Sequence, residues 1–365
     1  MHRMATQPDD LLSLANELHR RVIVIDTHCD TTQRLGADDW DFAARHDTGH
    51  VDIPRLGEGG IGAVFLAVWA KGPLPPGDGA AAARRQIEAI QQATDRCARW
   101  ISFARTADEI RAAKAGGKIA VLIGIEGGYL IENSLDILRE YHRCGAAYLT
   151  LTHGFHTDWA DSSGIHEPLP PRHGGLTPFG REVIAELNRL GMMVDVSHVS
   201  DAAFWDVVET STVPIIASHS SCRAVAPHRR NLADDMMRAI AAAGGVVQIN
   251  FAPAFIDSHY PDLDPEQVAR WFADENANKP PLTEHLTSID CVVDHFDHAL
   301  RLIGPDHVGI GSDFDGVPAL PSGLEDCSKL PHLTAALLRR GHSEADIIKV
   351  LGGNVLRVME ACRNR

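Results

Sequence analysis

The sequence predicts a (β/α)8 barrel, and three observations carry that prediction. Eight apolar, β-rich runs can be counted along the 365 residues, at 22–28, 61–69, 118–125, 146–152, 192–198, 213–218, 245–251 and 307–312. Helix-length segments lie between them, and strands alternating with helices imply a parallel sheet with right-handed crossovers. Several runs end on a histidine or a carboxylate, and a barrel displays its working side chains at the C-terminal ends of its strands. A doubly wound open sheet is the rival. It would be hard-pressed to bring residues from the first, third, fifth and sixth runs to one point.

Residues 1–20 form an N-terminal extension leading into the barrel, and its start, Met1-His-Arg-Met-Ala-Thr-Gln-Pro-Asp-Asp10, is polar enough to fray. Gly57-Glu-Gly-Gly-Ile-Gly62 matches the dinucleotide pattern G-x-G-x-x-G. That motif needs a strand before it and a helix after it. Here a strand follows, so the glycines read as a turn into the second run. Ala80–Ala104, rich in Ala, Arg and Gln, reads as a helix, and Ser134–Cys144 carries apolar residues at helical spacing. The segment 177–190 has a Thr cap, Pro at its first position and a terminal Gly191. Ala233–Ala243 and Leu333–Arg340 complete the helices.

Two connections are long and follow strands, which places them over the active face. Residues 154–176 are rich in Gly, Pro and His, and 252–287 are acidic and Pro-rich with an amphipathic stretch around Pro265–Phe272. Neither linker composition nor an internal repeat marks a second domain, so 1–365 reads as one barrel domain.

With 44% hydrophobic and 23% charged residues the chain has a soluble, globular profile. A formal net charge of −15 argues against nucleic acid and against an anionic membrane surface. No apolar stretch reaches the roughly 20 residues that span a bilayer. Seven scattered cysteines without a C-x-x-C pair, and no signal segment, point to a reducing, cytoplasmic location. Cys29 would point to the opposite face of its strand from its neighbours and serve packing.

His28 and Asp30 lie two apart on the first run, hence on one side of it. An imidazole with a carboxylate suits a divalent metal such as zinc. Glu126 ends the third run, and a carboxylate there is costly to bury unless paired or metal-bound. A salt bridge with Arg223 or Arg230 is the plainer alternative. His198 and His219 end the fifth and sixth runs. Either alone reads as a core histidine, whereas two at matching ends, with His28, favour ligation.

Glu126 is then the natural shared ligand, with His28 and Asp30 on one ion and His198 and His219 on the other. Two-metal hydrolytic sites hold their ions about 3.5–4 Å apart and clamp an attacking hydroxide between them. His153 ends the fourth run, Asp313 the eighth, and Arg229-Arg230-Asn231 follows the sixth. Asp315 reads as support behind Asp313, and Asp158 and Asp161 as loop-capping or rim residues. His46, His50, His156, His166, His173 and His228 read as surface or loop histidines.

At these residues the chain resembles the membrane (renal) dipeptidase family of the binuclear-metal amidohydrolase superfamily. Asp26-Thr-His28-Cys-Asp30 is similar to its D-x-H-x-D opening, and Gly124-Ile-Glu126-Gly-Gly to its third-strand motif. Leu151-Thr-His153 with Trp159-Ala-Asp161 resembles its fourth-strand segment. The longest matches run from Gly175-Leu-Thr-Pro-Phe-Gly180 through Val194-Asp-Val-Ser-His198, and from Ser218-His219-Ser-Ser through Arg229-Arg-Asn-Leu-Ala-Asp-Asp235. Gly309-Ile-Gly-Ser-Asp313-Phe-Asp-Gly316 closes the series.

The resemblance implies a zinc-dependent dipeptidase with two Zn2+ ions per chain, held by His28, Asp30, Glu126, His198 and His219, with Glu126 bridging. It implies that His153 stabilises the oxyanion, that Arg230 binds the C-terminal carboxylate of a dipeptide, and that Asp313 holds its ammonium and shuttles a proton to the departing amine. A homodimer is implied by family analogy alone. Hydrolysis of other small amides or lactams, such as N-acyl amino acids, is the alternative within the same chemistry, and an inactive metal-binding barrel the alternative outside it. Three departures stand out. Asn250-Phe-Ala-Pro-Ala-Phe255 lacks a tyrosine that many relatives carry, and His156 replaces a polar amide. The secretory and lipid-anchor signals of the animal enzymes are absent.

Overall fold

The computed structural model describes residues 8–36, 40–72, 74–165, 168–261, 264, 266–267, 270 and 286–363. Nine parallel strands occur among them: β1 (Val24–Cys29), β2 (Ile61–Val68), β3 (Ile101–Phe103), β4 (Ile119–Glu126), β5 (Ala146–Thr150), β6 (Met193–Asp195), β7 (Ile215–Ala217), β8 (Val246–Ile249) and β9 (Val308–Ile310). Their order is β2-β1-β9-β8-β7-β6-β5-β4-β3, and β2 also pairs with β4, which closes eight of them into a (β/α)8 barrel. The open-sheet rival is excluded by that closure.

The ninth strand, β3, corrects the expected helix over Ala80–Ala104. That helix spans Asp78–Arg96, and residues 101–103 turn extended. β4 gives one edge to β2 along its length, and β5 pairs with the other only from Ile123 onward. β3 takes the vacant lower part of that edge, at Ile119–Val121. Three residues are too few to carry a pattern that outweighs the preceding helix.

Alternation along the strands sorts side chains into two sets. Ile25, Phe65, Leu122, Tyr148, Met193, Ile216 and Val246 belong to one cluster, joined by Val355, Leu356 and Met359 of the final helix (Asn354–Arg363). Val24, Val64, Val121, Leu149, Val194, Ile215 and Val247 belong to the other. The first set fills the barrel, as the Phe65–Tyr148 ring contact between non-adjacent strands requires.

The other helices begin and end for local reasons. Thr177 Oγ1 accepts from Gly180 N to start Pro178–Leu190, and Gly191 ends it with a left-handed φ of 71°. Most of the start expected to fray, residues 1–7, lies outside the described residues. Pro8–Arg21 is a helix with one apolar stripe, and buried His19 bonds to Gly59 O at 2.7 Å and Thr334 Oγ1 at 2.8 Å. The glycines at 57–62 lead into β2 as expected. The 252–287 connection opens with a short helix, Pro253–Ile256, and most of the stretch around Pro265–Phe272 lies outside the described residues. No helix among the described residues is long and apolar enough to cross a membrane.

Candidate metal centre

Seven of the eight expected strands are shorter than their apolar runs, so several of the site residues sit on the turns that leave them. His28 lies in β1 with Asp30 just beyond it, and Glu126 is the last residue of β4. His153, His198 and Asp313 lie three residues past β5, β6 and β9, and His219 two past β7. His198 and Asp313 adopt positive φ, 69° and 66°, a conformation that costs a non-glycine residue energy and is found where function demands it. A register shift between Asp26 and Cys29 places a bulge at the ligand-bearing end of β1. Cys29 packs outward in the core, as expected.

These turns bring the eight sequence-predicted residues to one mouth. Glu126 is central. Its Oε2 lies 3.5 Å from His28 Nε2, while its Oε1 lies 3.1, 3.3 and 3.8 Å from Nε2 of His198, His219 and His153. His28 Nε2 is 3.8 Å from Asp30 Oδ2, and the His198 and His219 Nε2 atoms are 2.9 Å apart. Zinc–nitrogen bonds of about 2.0–2.1 Å imply tetrahedral ligand atoms roughly 3.3 Å apart, so these spacings suit donors sharing a cation.

Three overlapping groups bring one ligand atom of each member within 4.8 Å of the others: His28, Glu126 and His219; Glu126, His153 and His198; and His28, Asp30 and Asp313. The plainer reading of Glu126 fails in part, because Arg223 pairs with Asp201 at 2.7 Å instead.

The chemistry of the donors fits a metal. His28 Nε2 and Asp30 Oδ1, which face the cluster, are buried without a hydrogen-bond partner. Burial opposes a charged His28, yet Glu126, Asp30 and Asp313 raise its pKa to about 10, so the cluster calls for a cation. Burial also drives Asp30 well above the usual carboxylate range. For Glu126 burial is outweighed by His153 and His28, which hold it well below that range. His198 and His219 are depressed chiefly by burial, which keeps both as neutral ligands.

Behind the donors lie groups that the sequence did not reveal. Tyr148 Oη donates to Thr27 O at 3.1 Å and lies 2.9 Å from His28 Nδ1, so it accepts the Nδ1 proton and leaves Nε2 a bare lone pair. Ser218 Oγ donates to Asp195 at 2.6 Å and lies 2.8 Å from His219 Nδ1, with the same consequence for His219. Outer partners of this kind fix tautomer and ring direction in metal-binding histidines. Gly124 is the one sequence signal of the tyrosine: a Cβ there would fall 2.0 Å from Tyr148 Cζ.

The long 154–176 loop ties two functional turns together, since Ser162 Oγ donates to the carbonyls of both His153 and His198. Asp161 caps that loop by accepting from the backbone N–H groups of residues 172–175. Asp315 accepts from Thr31 Oγ1 and His50 N, which makes it a brace for the Asp313 turn. His50 is part of that brace, since its Nδ1 accepts from Asp315 N. His166 lies outside the described residues.

The substrate-facing groups surround the donors. Arg230 is buried, its Nη2 donates to His219 O at 3.2 Å, and its guanidinium stands 5.4 Å from the Phe255 ring. Burial lowers its pKa to about 10, which still leaves it charged at neutral pH. Asn250 Nδ2 donates to Asp313 Oδ2 at 2.8 Å. His153 keeps 19% of its side chain exposed, toward the mouth, beside the Trp69 ring.

A (β/α)8 barrel with histidine and carboxylate donors gathered at one end defines a metal-dependent hydrolase of the amidohydrolase type. Within that class the chain belongs to the membrane dipeptidase family (peptidase family M19), which it matches over residues 12–365. It is similar to dipeptidase tcpJ of Claviceps purpurea, 34% identical over 391 residues that cover 98% of this chain and 86% of that one. Among solved structures it is similar to the probable dipeptidase PvdM of Pseudomonas aeruginosa, with a TM-score of 0.84, 27% identity, and 98% and 99% of the two chains covered. It is also similar to a metallopeptidase of Rhodobacter sphaeroides liganded with a phosphinate mimic of the dipeptide L-Ala-D-Ala, with a TM-score of 0.79, 28% identity, and 93% and 99% covered. The protein is a dipeptide-hydrolysing enzyme.

Proposed function

We propose that this dipeptidase works with two zinc ions, one held by His28 and Asp30, the other by His198 and His219, with Glu126 shared. The observation that carries the reading is the division of Glu126, whose Oε2 faces His28 while Oε1 faces His198 and His219. Paired zinc ions, when bound, bring the pKa of water down to about 7 and polarise a carbonyl.

The remaining work falls to the chain itself. His153 stabilises the oxyanion that forms as the scissile carbonyl is attacked. Arg230, held by His219 O and the Phe255 face, receives the C-terminal carboxylate, which its planar fork suits. Asp313, oriented by Asn250, holds the substrate ammonium and delivers a proton to the departing amine. Fixed charges at both ends limit the substrate to two residues. A longer peptide sets a neutral amide against Arg230 and forfeits a charge-assisted bond of roughly 1.5–3 kcal/mol.

The Rhodobacter sphaeroides relative, liganded with a mimic of L-Ala-D-Ala, supports a pocket of that length. Seven free cysteines support a cytoplasmic location. A homodimer completes the reading, by family analogy.

Metal analysis combined with turnover of a dipeptide library varied in side chain and stereochemistry, set beside N-acyl amino acids, tests it. Two zinc ions per chain and hydrolysis of dipeptides are expected. Full activity with a single ion, or faster turnover of N-acyl amino acids, would overturn it.

A further inference from the structure

At the opposite end of the barrel from the metal centre, where β5 and β6 begin, a pocket of about 310 Å3 opens to solvent. Arg105, His142, Arg143 and Arg363 line it over a floor that includes Met193 and Met359. These side chains come from the turn after β3, from the C-terminal turn of the helix Leu135–Cys144 and from the final helix. No carboxylate lines the pocket among the described residues. That runs against the composition of the chain, which holds 49 acidic and 34 basic residues.

The local charge is poorly compensated. Arg143 has no ion-pair partner among the described residues, although Glu140 lies near enough to feel its charge. Arg105 rests its guanidinium over the Phe103 ring at 5.6 Å, and Arg363 Nη1 donates to Arg105 O at 2.9 Å. Nearby Arg189 is committed to Glu186. Burial depresses the His142 pKa, and Arg363, Arg105, Arg189 and Arg143 all depress it further.

Two helices end at the pocket, at Gly145 and Gly191, and each C-terminus contributes only about half a negative charge. Three guanidinium charges outweigh them. The glycines also give the cations room, since a Cβ at Gly145 would fall 3.1 Å from Arg105 Nε and one at Gly191 would fall 3.3 Å from Arg363 Cα.

We propose that this pocket binds a compact phosphoryl dianion, a free phosphate or the phosphoryl head of a small metabolite, through Arg105, Arg143 and Arg363. Arg105, Arg143 and Arg363 are exposed at the pocket lining, and guanidinium forks match the oxygen geometry of phosphate. Single carboxylates offer one charge to three cations, and a volume of about 310 Å3 accommodates one small molecule.

The test is titration of the metal-loaded, full-length protein with inorganic phosphate at ionic strength fixed with chloride. Heat and the His142 ring resonance are followed, with succinate as the comparison dianion. Saturable binding that shifts the His142 signal is expected. Arg143→Ala should weaken it roughly tenfold and Arg143→Ala with Arg363→Ala roughly a hundredfold, as the loss of charged hydrogen bonds requires. Dipeptide turnover by both variants reports that they are folded. An unmoved His142 signal, or equal phosphate affinity in wild type and both variants, would overturn the proposal. Succinate binding as tight as phosphate would overturn the phosphoryl assignment.

Discussion

Tyr148→Phe removes one oxygen from the interior of the barrel and keeps the ring that fills it. Two partners lose a bond: the Nδ1–H of His28, 2.9 Å from the hydroxyl, and Thr27 O, which accepts from it at 3.1 Å. Both are fully enclosed, and each buried group left unpaired costs about 1–3 kcal/mol. Part of that cost falls on the fold. The rest falls on the metal site, because His28 can now flip its tautomer or rotate, and losing an outer partner of a ligating histidine lowers metal affinity about 10–100-fold. That range corresponds to about 1.4–2.7 kcal/mol. Zinc titration in the presence of a competing chelator reads the affinity directly. Turnover measured at rising zinc should recover most of the wild-type rate, since the ring still packs against Gly124. Wild-type zinc affinity in the variant would show that His28 is oriented without the hydroxyl and would refute the reasoning.

Glu126→Gln should lose metal retention and turnover together, since it removes the charge facing all four of His28, His153, His198 and His219; retained metal with lost turnover would mean that its role is not ligation. Arg230→Ala should raise KM for dipeptides by roughly 10–100-fold through the lost charged bond, with a smaller change in kcat, and an unaltered KM would remove Arg230 from the carboxylate. Gly316→Ala sets a Cβ 1.9 Å from Asp30 Oδ2 and 2.4 Å from Asp313 Oδ1, so activity should collapse while circular dichroism stays native. Burial lowers the pKa of both His19 and His295 from 6.5 to about 4. Between those values the unfolded chain holds the protons and the native state does not, so stability is full above about pH 6.5 and is lost as pH falls toward 4. Each histidine accounts for about 2 kcal/mol between pH 7 and pH 5, and a urea series should show a shallower slope in His19→Gln and His295→Gln.

What the sequence made legible were the features with a long or repeated local signal. β2 and β4 are eight-residue apolar runs, and the barrel was readable from them and their six companions. Glu126 stood out because a carboxylate after such a run needs a reason. Features decided by distant partners stayed hidden. Tyr148 looks like any core aromatic in Ala146–Thr150, and only the fold sets it against Gly124 and beneath His28. β3 exists because β5 leaves part of an edge of β4 unpaired, a fact with no trace in residues 101–103. The strand ends were overrun for the same reason. Val196-Ser197-His198 continues the β pattern, but the bond from Thr152 Oγ1 to His198 O, with the left-handed φ, belongs to the turn.

Two buried carboxylates that bind no substrate explain how such turns are held. Asp26 on β1 accepts from Ser312 N at 2.9 Å, from Ser312 Oγ and from His28 N, joining the exit of β1 to that of β9. Asp195 on β6 accepts from Ser197 N, Ser218 N, Ser218 Oγ and Thr150 Oγ1, joining the exits of β5, β6 and β7. Where parallel strands part at the barrel mouth, backbone N–H groups lose their ladder partners, and in a buried site they must be paired elsewhere. A carboxylate accepts several such donors at once, which an asparagine could not do without turning a donor toward them. Its charge sets the price of the device: burial lifts Asp26 to a pKa of about 6, against the bonds from Ser312. A cation pair one residue layer above would favour the ionised form. The same two aspartates therefore hold the donor turns in register and gain from the charge those turns are arranged to bind.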